Sequence, residues 1–290
     1  MVIDQSLRQM YQKYASHDGT LAIVVVEKVN VPLTVTDGFD VVVLLIKDDS
    51  NYSWDIHHYV IEQKSVSFHC ISMEMIDQTL MTGNHRRLID WVVNGEVAFD
   101  RNESLRMIKE RIDALPAGDR QKKLTIQFSK LLRRFEEGKT FFREGHLYDS
   151  FSHMMHALHH LARLSIVDQG MYSEVIVWEQ VKRIDPQIYK LHQELFNSNE
   201  SVEKRIELLL LAMELAIQSK TDIGSRHFLM VLTEQKRPLT MTDLMKLNEL
   251  EAYRVDLELL VRHLVEKRKL KAEEQQVSNQ EYKQYIYSRC

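Results

Sequence analysis

Apolar residues at Leu7, Met10, Tyr11 and Tyr14 fall at the three-to-four spacing of one helix face, and His17-Asp18-Gly19 breaks the pattern. The period then changes. LAIVVVEKV from residue 21 and FDVVVLLIKDD from residue 39 are short β-branched runs, as expected of buried strands. WDIHHYVIEQKSVSFHCIS, residues 54–72, holds two further runs with a turn near Gln63 and Lys64. In the second run Val66, Phe68 and Cys70 alternate with Ser67 and His69, which predicts one apolar face and one half-open face. Residues 73–102 return to helical spacing and stop at Asn94-Gly95, a helix C-cap signal. This order predicts an α+β domain over 1–118.

Residues 119–220 carry almost no strand signal. Successive amphipathic segments are punctuated by Gly145 and Gly170, and Asp185-Pro186 starts one with a cap and a first-turn proline. The expectation is an all-α helical bundle. Residues 221–290 read as helix (GSRHFLMVLTEQK), short helix capped by Thr240, longer helix (EAYRVDLELLVRHLVEKRKL), then two short strands around VSNQ. That is the order of a winged helix-turn-helix.

Composition narrows the function classes. The 290 residues are 44% apolar and 28% charged with only 4 Pro, so large disordered regions are not expected. A net charge of −4 leaves only a local basic surface for nucleic acid. Cys70 and Cys290 do not make a disulfide framework and suit a reducing cytoplasm. No apolar run approaches the roughly 20 residues of a membrane span, so a cytoplasmic protein without membrane contact is expected.

Strand, turn and FDVVVLL resemble the second strand of the DNA polymerase beta-type nucleotidyltransferase superfamily, and HRRLIDWVVNGEVAFDRN resembles the helix and ending that follow the sheet in small members. Domain for domain, the whole chain is similar to a family of nucleotidyltransferase-like proteins of bacillus type. The resemblance implies a nucleotidyltransferase-fold domain, a helical substrate-binding-type domain and a C-terminal helix-turn-helix. It also implies where chemistry should sit. A Gly-Ser pair that cradles nucleotide phosphates should precede the metal strand; Glu27 and Lys28 stand there, with no glycine to let a backbone approach a triphosphate. Two carboxylates separated by one residue should share a strand face and hold Mg²⁺. Aligned so, Asp40 takes the second position and Gly38 the first; Asp37 is offset to the opposite face, unless a bulge at Gly38 swings it back. The third acid should come from the neighbouring strand, which offers only Ser67 and His69. The expectation is a fold kept and a reaction lost, with Asp37, Asp40 and His69 as vestigial candidates and Glu27 and Lys28 in a ligand pocket.

Other chemistry is thinner. His153, His156 and His160 lie on one helical stripe and form a candidate metal set, against a competing reading as a polar stripe lining a pocket or facing water. Arg143, His146 and Tyr148 sit at a helix junction, either as a ligand pocket or as a surface turn. In the third region, Arg254, Arg262, Lys267, Arg268 and Lys269 are candidate contacts to DNA or to a protein partner. Acids at Glu249, Glu251, Asp256 and Glu258 place the presumed reading helix closer to protein contact. Three functions follow: a non-catalytic ligand-binding or regulatory protein that self-associates or docks a partner; a working Mg²⁺-dependent nucleotidyltransferase; or a DNA-binding regulator. No cofactor is expected unless the second holds.

Overall fold

The computed structural model describes residues 5–30, 33–48, 54–82, 85–173, 176–235, 237–277 and 282–290. They fall into two compact units, Met1–Leu115 and Pro116–Cys290. The first runs α1 (Gln5–Ala15), β1 (Thr20–Glu27), a 3-10 turn (Lys28–Asn30), α2 (Leu33–Thr36), β2 (Val41–Lys47), β3 (Asp55–Ile61), β4 (Lys64–Ser72), α3 (Met73–Thr82), α4 (Arg86–Asn94), β5 (Glu96–Asp100) and α5 (Ser104–Ala114). The five strands form one sheet in the order β3-β4-β2-β1-β5. Only the β2–β4 pair is parallel.

Strand alternation sets two faces. Ile23, Val25, Val43, Leu45, Phe68 and Cys70 pack under Leu7 and Tyr11 of α1. The opposite face carries Val24, Val42, Leu44, Ser67 and His69, and it is buried as well. The Ser67–His69 face is therefore not half open, as the alternation in β4 suggested. The apolar residues on both faces of β1 and β2 require cover on both sides, and α4 supplies it, with the Trp91 ring 4.6 Å from that of His69. α4 ends at Asn94 as expected, with the Gly95 N–H on the Trp91 carbonyl oxygen, although the φ of Gly95, −74°, is not left-handed. A Cβ there would lie 2.2 Å from Val24 Cγ1, so the residue is small because helix and sheet touch at that point. Beyond it β5 and α5 extend a domain whose sequence pattern suggested only a helix ending. The hairpin turn lies one residue earlier than expected, at Glu62 and Gln63, both with positive φ.

The second unit runs α6 (Ala117–Arg143), α7 (Leu147–Asp168), α8 (Val177–Ile184), α9 (Pro186–Asn197), α10 (Val202–Glu234), β6 (Leu239–Thr240), α11 (Met241–Lys246), a 3-10 segment (Asn248–Asp256), α12 (Leu257–Glu266), β7 (Leu270–Gln276) and β8 (Lys283–Arg289). The strands form a small sheet, β6-β8-β7. Asp185 caps α9 through Ile188 N–H, with Pro186 at the first position, and Thr240 and Asp243 form a capping box on α11. The turn between β7 and β8, within VSNQ, lies partly outside the described residues. The segments SVEKRIELLLLAMELAIQSK and GSRHFLMVLTEQK are one continuous helix, α10, which crosses the boundary expected at 220/221. Gly224 does not break it. A Cβ there would lie 2.3 Å from Phe128 Cγ, so the glycine lets α10 pack closely against α6.

Candidate functional site

Asp40 lies immediately before β2, at the mouth of the sheet. Its Oδ2 accepts hydrogen bonds from the Ser65 N–H (2.9 Å) and the Ser65 hydroxyl (2.7 Å). Lys28 Nζ stands 3.8 Å from its Oδ1 and 3.4 Å from the Gly38 carbonyl oxygen. The Ser65 N–H, then its hydroxyl, then Lys28 hold the Asp40 carboxyl below the usual aspartate range. Asp37 sits in a turn with φ +52°, followed by Gly38 at +86°, and its carboxylate pairs with Arg87. The two acids are thus engaged by different partners. Glu27 closes β1 opposite Val41.

His69 is spoken for on both ring nitrogens. Trp54 Nε1 donates to its Nδ1 at 2.9 Å, which leaves the proton on Nε2, 2.8 Å from Ser67 Oγ. Burial foremost, and the charge of His58 second, push its pKa down to about 4. It is a neutral core residue. These residues do not fit a Mg²⁺ pair. A divalent ion needs several unshared carboxylate oxygens, and here cationic side chains, Lys28 and Arg87, stand against the two candidate acids. Among the described residues no group of three His, Cys, Asp or Glu is placed to hold a metal.

The histidines of α7 line its contact with α6. His153 Nδ1 lies 2.9 Å from Glu137, which also pairs with Arg134. His160 Nδ1 lies 3.0 Å from Gln127 Oε1 and is strongly depressed by burial, then by Arg163 and Lys130. His156 is the exposed one of the three, and burial and Arg134 lower its pKa. The stripe is therefore a polar seam between helices more than a solvated face. Arg143, His146 and Tyr148 are all exposed around the α6–α7 turn. Arg143 lines a cavity together with Phe135, Phe142 and Leu211.

The basic residues of the C-terminal region divide. The helix expected over 251–270 is instead the 3-10 segment, interrupted at Tyr253 (φ −133°), followed by α12. Of the acids at its expected start, only Glu258 belongs to the first turn of α12. Asp256 is buried and ion-paired to Arg133 of α6, whose guanidinium also donates to the Val255 carbonyl oxygen. Arg262 pairs with Glu136 of α6 at 3.3 Å, and His263 Nε2 lies 3.0 Å from Thr221 Oγ1. Arg254 is half-buried. Lys267, Arg268 and Lys269 follow the end of α12, and Lys269 pairs with Asp222 at 2.6 Å. Sequence reasoning missed Ser65, Arg87, Arg133 and Asp256 as organising partners. Ser65, Arg87 and Arg133 lie at sequence separations of 25, 50 and 123 from the acids they hold, where no local pattern reaches.

Residues 3–120 match a family described as nucleotidyltransferase-like, residues 121–220 a YgxA-like substrate binding domain and residues 226–289 a helix-turn-helix domain. The uncharacterized protein YgxA of Bacillus subtilis (strain 168) is 39% identical over 265 residues, covering 91% of this chain and 90% of that protein. A crystal structure of a nucleotidyltransferase-like protein from Exiguobacterium sibiricum 255-15 superposes with a TM-score of 0.83 at 36% identity, over 98% of each chain.

Proposed function

The chain belongs to the family of nucleotidyltransferase-like proteins that includes YgxA, and from that premise we propose that it keeps the fold as a binding scaffold and has lost the transfer reaction. One observation carries this reading. The Asp40 carboxylate is committed to the N–H and hydroxyl of Ser65, with an ammonium, Lys28, beside it where the reaction would need a second acid. In-line nucleotidyl transfer needs metal charge on the attacking and leaving oxygens. Asp40 instead ties the start of β2 to the start of β4, a structural use of the same residue. The rearranged enzyme built on Asp37, Asp40 and Glu27 is the competing outcome. Calorimetric titration with ATP and GTP, with and without Mg²⁺, separates the two. The scaffold reading expects no gain in affinity from Mg²⁺; a Mg²⁺-dependent affinity abolished by Asp40→Ala supports the enzyme.

For the C-terminal region the packing of α12 on α6 favours protein contact over base reading. The helix that a winged helix-turn-helix would lay in the major groove is held on the bundle by Arg133–Asp256 and Arg262–Glu136. Leu208, Leu211 and Leu215 form an exposed apolar stripe on α10, which supports self-association. Light scattering behind size exclusion tests it. A dimer that falls to a monomer in Leu211→Asp supports the stripe as the contact; a wild-type monomer at all concentrations removes this part of the reading.

A further inference from the structure

Three helices of the second unit end in the same way, and one of the three ends is chemically odd. At the ends of α6 and α7 the left-handed residue is glycine, Gly145 at φ +83° and Gly170 at φ +78°. His146 N–H returns to the Phe141 carbonyl and Met171 N–H to the Ile166 carbonyl, the paired-bond closure that favours glycine. At the end of α12 the closure is identical, with Arg268 N–H to the Val265 carbonyl and Lys269 N–H to the Leu264 carbonyl at 2.8 Å. Yet the left-handed position is Arg268, at φ +56°. An arginine there carries backbone strain that glycine would not. Strain of this kind marks a place where the side chain is wanted for something.

Its surroundings say what. Arg268 lines an open cavity of about 340 Å³ between α10, the end of α12 and β8, and Arg226, Lys269 and Arg289 line it as well. Asp222, paired to Lys269, is the one acidic side chain on that lining, against these four cations. Arg289 is steadied by donating to Thr233 Oγ1 at 2.9 Å. Leu229 and Met230 give the cavity an apolar wall. Four cations brought together from three segments of the chain, with one acidic side chain among them, repel one another unless a further anion joins them.

We propose that this cavity is a binding site for a small phosphate ester carrying two or more negative charges, held by Arg226, Arg268, Lys269 and Arg289 without a metal ion. Guanidinium groups suit phosphate because their planar forks match its oxygens. The apolar wall fits the organic part of an ester, and the volume lies in the range of small-ligand sites, roughly 300–1,000 Å³. A duplex backbone would instead be met by cations spread along an exposed ridge. The site is separate from the mouth of the sheet and stands whether or not that region is catalytic. Neither Arg226 nor Arg289 was singled out by the sequence, because they lie at the start of one pattern and the end of another and only the fold joins them.

The test is metal-free calorimetry on the full chain in the presence of a chelator, with pyrophosphate and ATP as probes. One pyrophosphate site is expected, with ATP competing for it and affinity falling as salt rises. Arg226→Ala and Arg289→Ala should each weaken pyrophosphate about tenfold, the loss of one charge-assisted contact. Lys190→Ala, an exposed cation on α9, should leave it unchanged. Arg268→Gly should weaken binding while the melting temperature holds or rises, so that lost affinity cannot be mistaken for unfolding. No metal-free pyrophosphate binding, or binding that survives all three arginine substitutions, overturns the proposal. So does random duplex DNA that needs these arginines and is not displaced by pyrophosphate. Omitting Mg²⁺ keeps this result distinct from any nucleotide binding at the sheet mouth.

Discussion

The mouth of the N-terminal sheet and the cavity at the end of α12 are both rich in charge, and they use it in opposite ways. At the sheet mouth the candidate acids are matched within the protein: Asp40 with Ser65 and Lys28, Asp37 with Arg87. At the cavity four cations share the lining with one acidic side chain and the last residue, Cys290, and one of the four, Arg268, has a left-handed backbone. Matched charges hold a fold together. Unmatched ones remain available to something outside it. The region that the family resemblance marks for chemistry is the quiet one, and the region that it marks only as a helix-turn-helix carries the charge imbalance.

The comparison breaks most severely if the matched ions prove dispensable. The pair of Arg133 and buried Asp256 is the strongest case, since it ties α12 to α6. Asp256→Ala should cost about 3 kcal/mol in urea unfolding, because it leaves a partly buried guanidinium without its counter-charge; a loss within the scatter of surface substitutions would contradict the division between matched and unmatched charge. Arg268→Gly should act in the other direction and raise stability by about 1 kcal/mol, by relieving the left-handed backbone. Destabilisation there would show that Arg268 supports the fold instead of a ligand.

The smallest expected effect is a dependence on pH. His69 is held to about 4 against a reference of 6.5, and His263 likewise, with burial the main cause in both. Between those values the unfolded chain takes up protons that the folded chain excludes. Stability is therefore full above pH 6.5 and falls as the pH drops towards 4. His69→Asn should flatten part of that fall in a series of thermal melts. An unchanged slope would mean that His69 is not the neutral core group its two hydrogen bonds describe.

The strands and most helices were legible because their signals are local. The β-branched runs of β1 and β2, the Asp185-Pro186 start of α9 and the Thr240 cap each act within a few residues. The order of elements and the resemblance to the nucleotidyltransferase-like family followed from them. What stayed hidden was decided by contacts between distant segments. Gly95 was legible as a helix end, but that it is also small where Val24 passes close by, and that Gly224 is small against Phe128, was not. The half-open face expected in β4 is closed by Trp91, which lies some twenty residues further along. At the candidate site, Asp37 and Asp40 were identifiable through the family resemblance, while their partners Arg87 and Ser65 were not. The longer helix expected before the last two strands was divided by the 3-10 turn around Tyr253, and the burial of Asp256 against a helix over a hundred residues away fixed where α12 begins.

The most direct test of the central claim is a transfer assay. Purified full-length protein is incubated with α-labelled ATP or GTP, Mg²⁺ or Mn²⁺, and a panel of hydroxyl, amine and nucleic-acid acceptors. The account predicts no label on any acceptor or on the protein itself, in wild type and Asp40→Ala alike. Label transferred by the wild type and lost in Asp40→Ala would contradict it.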